Sequence, residues 1–164
     1  GHVPGNVGFT MQNRGTLFAM DDKHYNRLEP FKRPFHTIIP AMVTKEGKPV
    51  LSFGVMGGDM QPQGHAQVLV NMIDHGMNVQ EATDAARVRH DGSDTPTGDV
   101  MTDGGRLIVE SGVSEKVVAE LKKRGHNVSR GGAGGGYQAI RIDHETGLLH
   151  GGSEARKDGA AIGY

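Results

Sequence analysis

Glycine is the residue type that most constrains how this chain can fold. The 164-residue sequence contains 26 glycines, and they gather in clusters between segments of ordinary apolar pattern instead of recurring at a fixed period. Collagen and simple repeats are therefore excluded. At such clusters the backbone turns sharply or approaches another group closely. The clusters are Gly57-Gly58, Gly104-Gly105, "GGAGGG" (131–136) and Gly151-Gly152.

The first half of the chain predicts strands followed by a helix. "GFTMQN" (8–13) predicts a strand, and "TIIPAMVT" (37–44) with "PVLSFGV" (49–55) predicts a β-hairpin around the turn "KEGK". Pro40 counts against full pairing of the first hairpin strand. A helix is predicted after Gly58, with Pro62 in its first turn. Its apolar positions are Ala66, Leu69, Val70, Ile73 and Met77.

The second half predicts two capped helices and further strands. In "NVQEATDAARVRH", Asn78 and Glu81 form a capping box before a short alanine-rich helix. Ser114 is placed to cap a second helix, with Val113 and Val118 as a hydrophobic staple. Paired strands with inserted helices predict an α+β layered fold with a mostly antiparallel sheet, in a single domain over 1–164. The strands are predicted at 106–110, 126–130, 137–143 and 148–154.

Charge and composition exclude several classes of function. Lysine and arginine (18) nearly balance aspartate and glutamate (19), so no basic excess would drive nucleic-acid binding. No apolar run reaches the roughly 18 residues that a membrane-spanning helix needs. Cysteine is absent, which excludes disulfides and thiol catalysis. Localisation is not indicated by these residues.

The paired glycines at 57 and 58 are the strongest candidate for chemistry. Their N–H groups lie where a predicted strand meets a helix N-terminus, with free donors and a positive dipole. This arrangement suits an oxyanion hole, in which one donor contributes about 2.7–4 kcal/mol to transition-state stabilisation. A tight turn that requires positive φ explains the same pattern, and spacing alone leaves both readings open.

Other chemistries find little support. The 9 histidines include no HExxH pattern and no i, i+4 pair with an acidic third ligand, so no metal site is expected. "GGAGGG" lacks the Lys-Ser/Thr and the following helix of a nucleotide loop, and no GxSxG elbow occurs. No cofactor is implied. The charged "EARKDG" segment (154–159) is expected to be a solvated end.

Taken together, six motifs in order resemble the small subunit of the γ-glutamyltransferase family. The resemblance extends from the first residues to the last, and the "QNRG", "HTIIP" and "GGDMQPQGH" variants resemble its acylase-like members. The motifs are "GFTMQNRG", "KRPFHTIIPAMV", "GVMGGDMQPQGHAQVL", "GMNVQEATDAARVRH", "GGYQAI" and "GGSEARKDGAAIGY".

The resemblance implies a fold and a mechanism. Family members are N-terminal nucleophile hydrolases with a four-layer αββα sandwich, and their precursor cleaves itself to expose an N-terminal threonine. That threonine attacks γ-glutamyl or glutaryl-type amides and forms an acyl-enzyme. The resemblance places the family's oxyanion donors on Gly57 and Gly58. The expected partners are the large subunit of the same precursor, which covers the substrate, and a small-molecule amide.

The substrate-binding residues can be transferred only in part. Asn13 and Arg14 occupy the family's polar substrate-contacting stretch, and His36 and Thr37 match two serines that hold the α-carboxylate. In the alignment with the family, the aspartate that binds the substrate's α-ammonium falls near Leu17, and a leucine side chain cannot bind an ammonium group. We therefore expect a preference for an acyl chain that lacks this ammonium.

The nucleophile is expected upstream of Gly1, which has no side chain to replace it. The internal threonines at 10, 16 and 37 lack a free α-amine. We therefore expect this chain alone, the C-terminal part of the small subunit, to be inactive. Two alternatives stay open: a catalytically degenerate relative that binds a carboxylate, and a purely structural role for the glycines.

Overall fold

A computed structural model describes residues 2–163 of the chain. Gly1, the reference point for the expected upstream nucleophile, and Tyr164, the last residue of the terminal motif, lie outside the described residues. The chain divides into two compact units, residues 1–36 with 92–105 and residues 37–91 with 106–164. The single-domain assignment stays a prediction.

The first unit contains little regular structure. A 3-10 helix spans Arg14–Leu17, and isolated bridges join His2 to Met11 and Ala19 to Arg27. The strand predicted at 8–13 is wrong, because Met11 is the one residue of that segment in a bridge and Gly8 has a φ of 72°. Since no strand within residues 2–163 takes up its backbone groups, the segment is irregular.

The second unit contains every strand and α-helix found within residues 2–163, and its strands form two sheets. A four-stranded sheet has the order β1-β2-β6-β7 with antiparallel neighbours, and a three-stranded sheet has the order β3-β4-β5, in which only β4 and β5 are parallel. The strands are β1 (Ala41–Lys45), β2 (Lys48–Met56), β3 (Val88–Asp91), β4 (Arg106–Val109), β5 (Val128–Arg130), β6 (Gly136–Ile142) and β7 (Leu149–Ser153). The helices are α1 (Met60–Ile73), α2 (Val79–Asp84) and α3 (Glu115–Lys123). The predicted α+β class with mostly antiparallel sheets is confirmed.

Local signals set the element boundaries. The hairpin turns through Glu46 and Gly47, both at positive φ (53° and 76°), as a two-residue turn with matching strand twist requires. The Asn78 side chain accepts from two backbone N–H groups of α2, and Glu81 completes the capping box. Ser114 caps α3 through the N–H of Val117. These capping predictions are confirmed.

The short helix predicted after Asn78 is confirmed as α2, and the rest of the alanine-rich segment is not helical. Helix α2 ends at Asp84, and residues 88–91 form β3, a strand that the sequence pattern does not predict. Strand β3 exists because it pairs with β4, from Val88 with Val109 to Asp91 with Arg106. A partner so distant in sequence leaves no local pattern.

Two apolar clusters form the core of the second unit. Helices α1 and α2 pack on the four-stranded sheet, and α3 packs on the three-stranded sheet. No helix within residues 2–163 combines the length and apolarity that crossing a bilayer requires. The larger cluster comprises Leu51, Phe53, Val55, Val68, Val79, Ala82, Tyr137 and Ala139, and the smaller comprises Val109, Val118 and Val128.

Candidate functional site

The paired glycines lie between the end of β2 and the start of α1. Gly57 has a φ of 129° and Gly58 a φ of 59°, and both residues are exposed. Their carbonyl groups accept hydrogen bonds from the first helical N–H groups, those of Met60 and Gln61, each at 3.1 Å. The positive φ angles favour glycine at both positions, as the turn reading expects.

The amides of these two glycines are available to a ligand. Neither N–H donates a hydrogen bond to another group among residues 2–163. Both precede the first turn of α1, where the helix presents its unpaired donors and the positive end of its dipole. Two unpaired N–H groups of exposed residues in this position can donate hydrogen bonds to a negatively charged oxygen.

The glycine pair packs against a second glycine cluster, the "GGAGGG" segment. A Cβ atom on Gly57 would lie 3.1 Å from the Cα of Gly135 and 3.3 Å from its nitrogen, so the two backbones pack at glycine-only distance. Gly135 is itself buried at a φ of 88°, and its own Cβ would lie 3.0 Å from the Val55 side chain. The "GGAGGG" segment is therefore a packing partner of the glycine pair, a long-range contact that no local sequence pattern indicates.

Gln61 connects the glycine pair to Thr37. Its buried side-chain amide donates to the carbonyl oxygen of Thr37 and, at 3.2 Å, to that of Gly58. The structure thus brings Thr37 and Gly58 to the same glutamine side chain. Thr37 makes this contact with its backbone, whereas the expected contribution to substrate binding is a hydrogen bond from its side chain.

The other predicted substrate residues lie in the first unit. The carbonyl of Asn13 accepts from the backbone and hydroxyl of Thr16, at 3.2 and 2.9 Å. Arg14 lies in the 3-10 helix. The Nε2 of His36 lies 3.0 Å from Oε1 of Gln12, so His36 is next to the stretch that contains Asn13. The convergence of these residues with Gly57 and Gly58 on one substrate stays a prediction.

The expectation of a solvated end is wrong for Glu154 and Arg156 but holds for the other residues of the charged C-terminal segment, which are exposed. Glu154 and Arg87 are almost fully buried and form an ion pair with 2.5 Å between Oε2 and Nη2. Arg156 lies 3.4 Å from the same carboxylate oxygen and forms a two-point contact with Glu110. Distant backbone carbonyls, those of Thr83 and Ala85, also accept from Arg156. The segment closes a charge network inside the second unit.

Burial and hydrogen bonding act in opposite directions on Glu110. Burial by itself raises the pKa of its carboxyl group, but hydrogen bonds from Arg156 and from the backbone of Arg87 and Ala133 outweigh it. The net pKa of Glu110 is below its ordinary value. Burial raises the pKa of the Tyr137 hydroxyl to about 12, with the charge of Arg87 opposing. These groups keep their usual charge states near neutral pH.

His65 has a structural contact that its position on the helix does not reveal. Its Nε2 accepts the backbone N–H of Val55 at 3.0 Å, and its ring lies 4.9 Å from that of Phe53. Burial lowers the pKa of His65, which favours the neutral ring that can accept this bond. Within the described part of the chain, no group of three or more candidate ligands could hold a metal ion.

Comparisons with known proteins agree with the resemblance carried by the motifs. A family model described as gamma-glutamyltranspeptidase matches residues 1–164. The glutathione hydrolase-like YwrD proenzyme of Bacillus subtilis is 40% identical over 97% of this chain, and the oxamate amidohydrolase proenzyme of Klebsiella pneumoniae is 32% identical over all of it. The chain spans about 30% of the length of each of these relatives.

A solved structure extends the comparison to the fold. Cephalosporin acylase from Bacillus halodurans superposes with a TM-score of 0.80 at 43% identity, over 96% of this chain and 28% of that one. The predicted N-terminal nucleophile hydrolase fold is thereby confirmed.

Proposed function

Since this chain belongs to the gamma-glutamyltranspeptidase family, we propose that the protein containing it cleaves small-molecule amides through an acyl-enzyme. In this proposal an N-terminal threonine outside the chain attacks the amide carbonyl, and the oxygen that becomes negative accepts hydrogen bonds from Gly57 and Gly58. The C–N bond then breaks, the amine leaves with a proton, and water or an amine takes the acyl group. The observation that supports this role is the pair of unbonded N–H groups at the start of α1.

The proposed acyl group carries a carboxylate and needs no α-ammonium. Leu17 stands where the family's ammonium-binding aspartate is expected, and it offers no charge. Oxamate, named for the Klebsiella pneumoniae relative, also lacks an ammonium group. We therefore propose that glutaryl-type amides are better substrates than γ-glutamyl amides. Asn13, Arg14, His36 and Thr37 are the proposed contacts for the substrate.

The substrate preference is tested by comparing two chromogenic amides. Glutaryl and γ-glutamyl p-nitroanilides are supplied separately to the full-length protein, and kcat/KM is measured for each. We expect the glutaryl compound to be favoured, and a strong γ-glutamyl preference would refute the proposal about the acyl group. The polypeptide of residues 1–164, without the large subunit, is expected to hydrolyse neither.

The oxyanion role is tested by alanine substitutions with a matched control. Gly57→Ala brings a Cβ against Gly135 and displaces the amide, and losing one donor lowers kcat by roughly 10²–10³-fold. Gly58→Ala meets open space and is strained by its backbone φ alone, so we expect a smaller loss. Gly47 has a similar φ of 76° and open space in the hairpin turn, so Gly47→Ala carries the same strain away from the site.

The outcomes separate the proposed enzyme from its alternatives. Equal kcat per folded molecule in Gly57→Ala and Gly47→Ala would leave the glycines with a structural role only. Binding of glutarate without turnover by the full-length protein would support the degenerate carboxylate-binding relative instead.

A further inference from the structure

Two glutamine side chains of α1 bind the free edge of strand β3. The Oε1 of Gln63 accepts the N–H of His90 at 2.7 Å, and its Nε2 donates to the carbonyl of His90 at 3.1 Å. Gln67 does the same with Val88, at 2.9 Å and 2.8 Å. Each side-chain amide therefore makes the two hydrogen bonds that a peptide group of an adjacent strand would make. We refer to Gln63 and Gln67 with these four hydrogen bonds as the glutamine clamp.

The spacing of the clamp matches the geometry of both elements. Residues four apart on a helix are separated by about 6 Å along its axis. Residues two apart on a strand are separated by about 6.6 Å. Gln63 and Gln67 therefore reach His90 and Val88 together, with α1 and β3 running in opposite directions. Since β3 is an edge strand, its outward N–H and C=O groups need partners, and the clamp supplies them.

The clamp is joined to the glycine pair through the first turn of α1. The Nε2 of Gln63 also donates to the carbonyl of Asp59 at 3.1 Å, one residue after Gly58. The helix rests on β2 as well, through the hydrogen bond that the Val55 N–H donates to His65. Contacts to two different sheets fix the rotation of α1 about its axis, and with it the direction in which the preceding amides point.

We propose that Gln63 and Gln67 are positioning residues for the Gly57–Gly58 amides, an inference that rests on the proposed function of those amides. The clamp holds the start of α1 so that both N–H groups face the reacting oxygen. Neither glutamine touches the substrate. The two glutamines of the "QPQGHAQ" segment therefore hold the helix in place, whereas glutamines on a surface helix commonly point into water.

The test replaces each clamp residue in the full-length protein and uses a third glutamine as control. Gln80 caps the edge of β7 in the same manner, with its amide bound to the N–H and carbonyl of Ser153 at 3.2 and 3.1 Å. It lies on α2, in another part of the sequence from the glycine pair. Gln63→Leu, Gln67→Leu and Gln80→Leu remove the same kind of double hydrogen bond.

We expect kcat for the favoured p-nitroanilide to fall by roughly tenfold or more in Gln63→Leu, and less in Gln67→Leu, because small displacements of a catalytic donor are costly. In Gln80→Leu, kcat per folded molecule stays at the wild-type value. KM changes little in all three variants. A kcat for Gln63→Leu equal to that of Gln80→Leu would overturn the proposal.

Hydrogen–deuterium exchange tests the clamp without relying on catalysis. The Met60 and Gln61 N–H groups are bound to the carbonyls of the glycine pair. Peptides that cover residues 57–64 should exchange faster in Gln63→Leu than in wild type or Gln80→Leu. If the wild-type protein cleaves no amide, the proposed function fails and this readout still decides the clamp. Unchanged exchange at residues 57–64 would overturn it.

Discussion

The buried ion pair between Arg87 and Glu154 allows a quantitative prediction. Both side chains are about 1% exposed or less, with 2.5 Å between Nη2 and Oε2. At that separation and an effective dielectric constant of about 20, two unit charges attract by about 7 kcal/mol. Burial of the two ions costs several kcal/mol each, so attraction and desolvation nearly cancel. Removing one partner alone leaves a buried charge and costs about 3–5 kcal/mol.

The two single substitutions should differ in a defined order. After Arg87→Met, Glu154 still has Arg156 at 3.4 Å and the Thr83 hydroxyl at 3.3 Å. After Glu154→Leu, no other carboxylate among residues 2–163 lies within ion-pair distance of Arg87. Glu154→Leu should therefore cost more than Arg87→Met. The double variant Arg87→Met/Glu154→Leu should have a thermal unfolding midpoint close to that of the wild type, because apolar groups replace the whole pair.

The assay ranks thermal unfolding midpoints of the full-length protein and these variants, since a ranking needs no two-state assumption. A cost of about 3–5 kcal/mol lowers the midpoint by roughly 6–20 °C for a chain of 164 residues. The exposed pair Arg124–Glu120, at 2.9 Å, is the control, and Arg124→Met should change stability by at most about 0.5 kcal/mol. A double variant less stable than both single variants would refute the reasoning.

Three further predictions concern pH and packing. Because burial lowers the pKa of His65 below 6.5, its contribution to stability is complete above pH 6.5 and declines as the pH falls through the folded-state pKa. His65→Gln should remove that decline in midpoints measured across about pH 5–8. For Glu110, burial raises the pKa, but the hydrogen bonds, chiefly from Arg156, lower it by more, so the folded-state pKa is below 4.5. The contribution of Glu110 to stability is therefore present above pH 4.5 and is lost as the pH falls through the folded-state pKa. Circular dichroism of Glu110→Gln should show lower stability near neutrality and a weaker acid dependence below pH 4.5. Gly152→Ala would place a Cβ 2.9 Å from the carbonyl of Val79, and the overpacking should cost about 1–3 kcal/mol in denaturant unfolding; an unchanged midpoint would show that α2 can shift at no cost.

Features that depend on near neighbours could be predicted from the sequence. The capping box of Asn78 and Glu81 and the cap of Ser114 involve residues at most three positions apart, and the hairpin turn needs only Glu46 and Gly47. Gly47 readily adopts the positive φ angle of the turn, and the Asn78 and Ser114 side chains supply the acceptor oxygens of the caps. The glycine pair could be located for the same reason, since a strand-to-helix junction is a local pattern.

Features that depend on residues distant in the sequence could not be predicted from the sequence. Among residues 2–163, the segment 8–13 makes only the isolated bridge from Met11 to His2, whereas 88–91 becomes β3 because β4 lies beside it. A period of two in the sequence does not say whether a partner is present. The exposed or buried state of a charged residue is equally non-local, as Glu154 shows.

The sequence by itself determined where the chain can turn, where its helices begin, and which two amides precede α1, because those properties follow from side chains within one helical turn. Only the tertiary structure decided that Gly135 packs behind Gly57, that Arg87 buries with Glu154, and that two glutamines complete the edge of β3. These contacts join residues 21 to 78 positions apart, so each depends on which strands pair and how helices lie on them. Burial and edge pairing are properties of that arrangement, and no short segment encodes them.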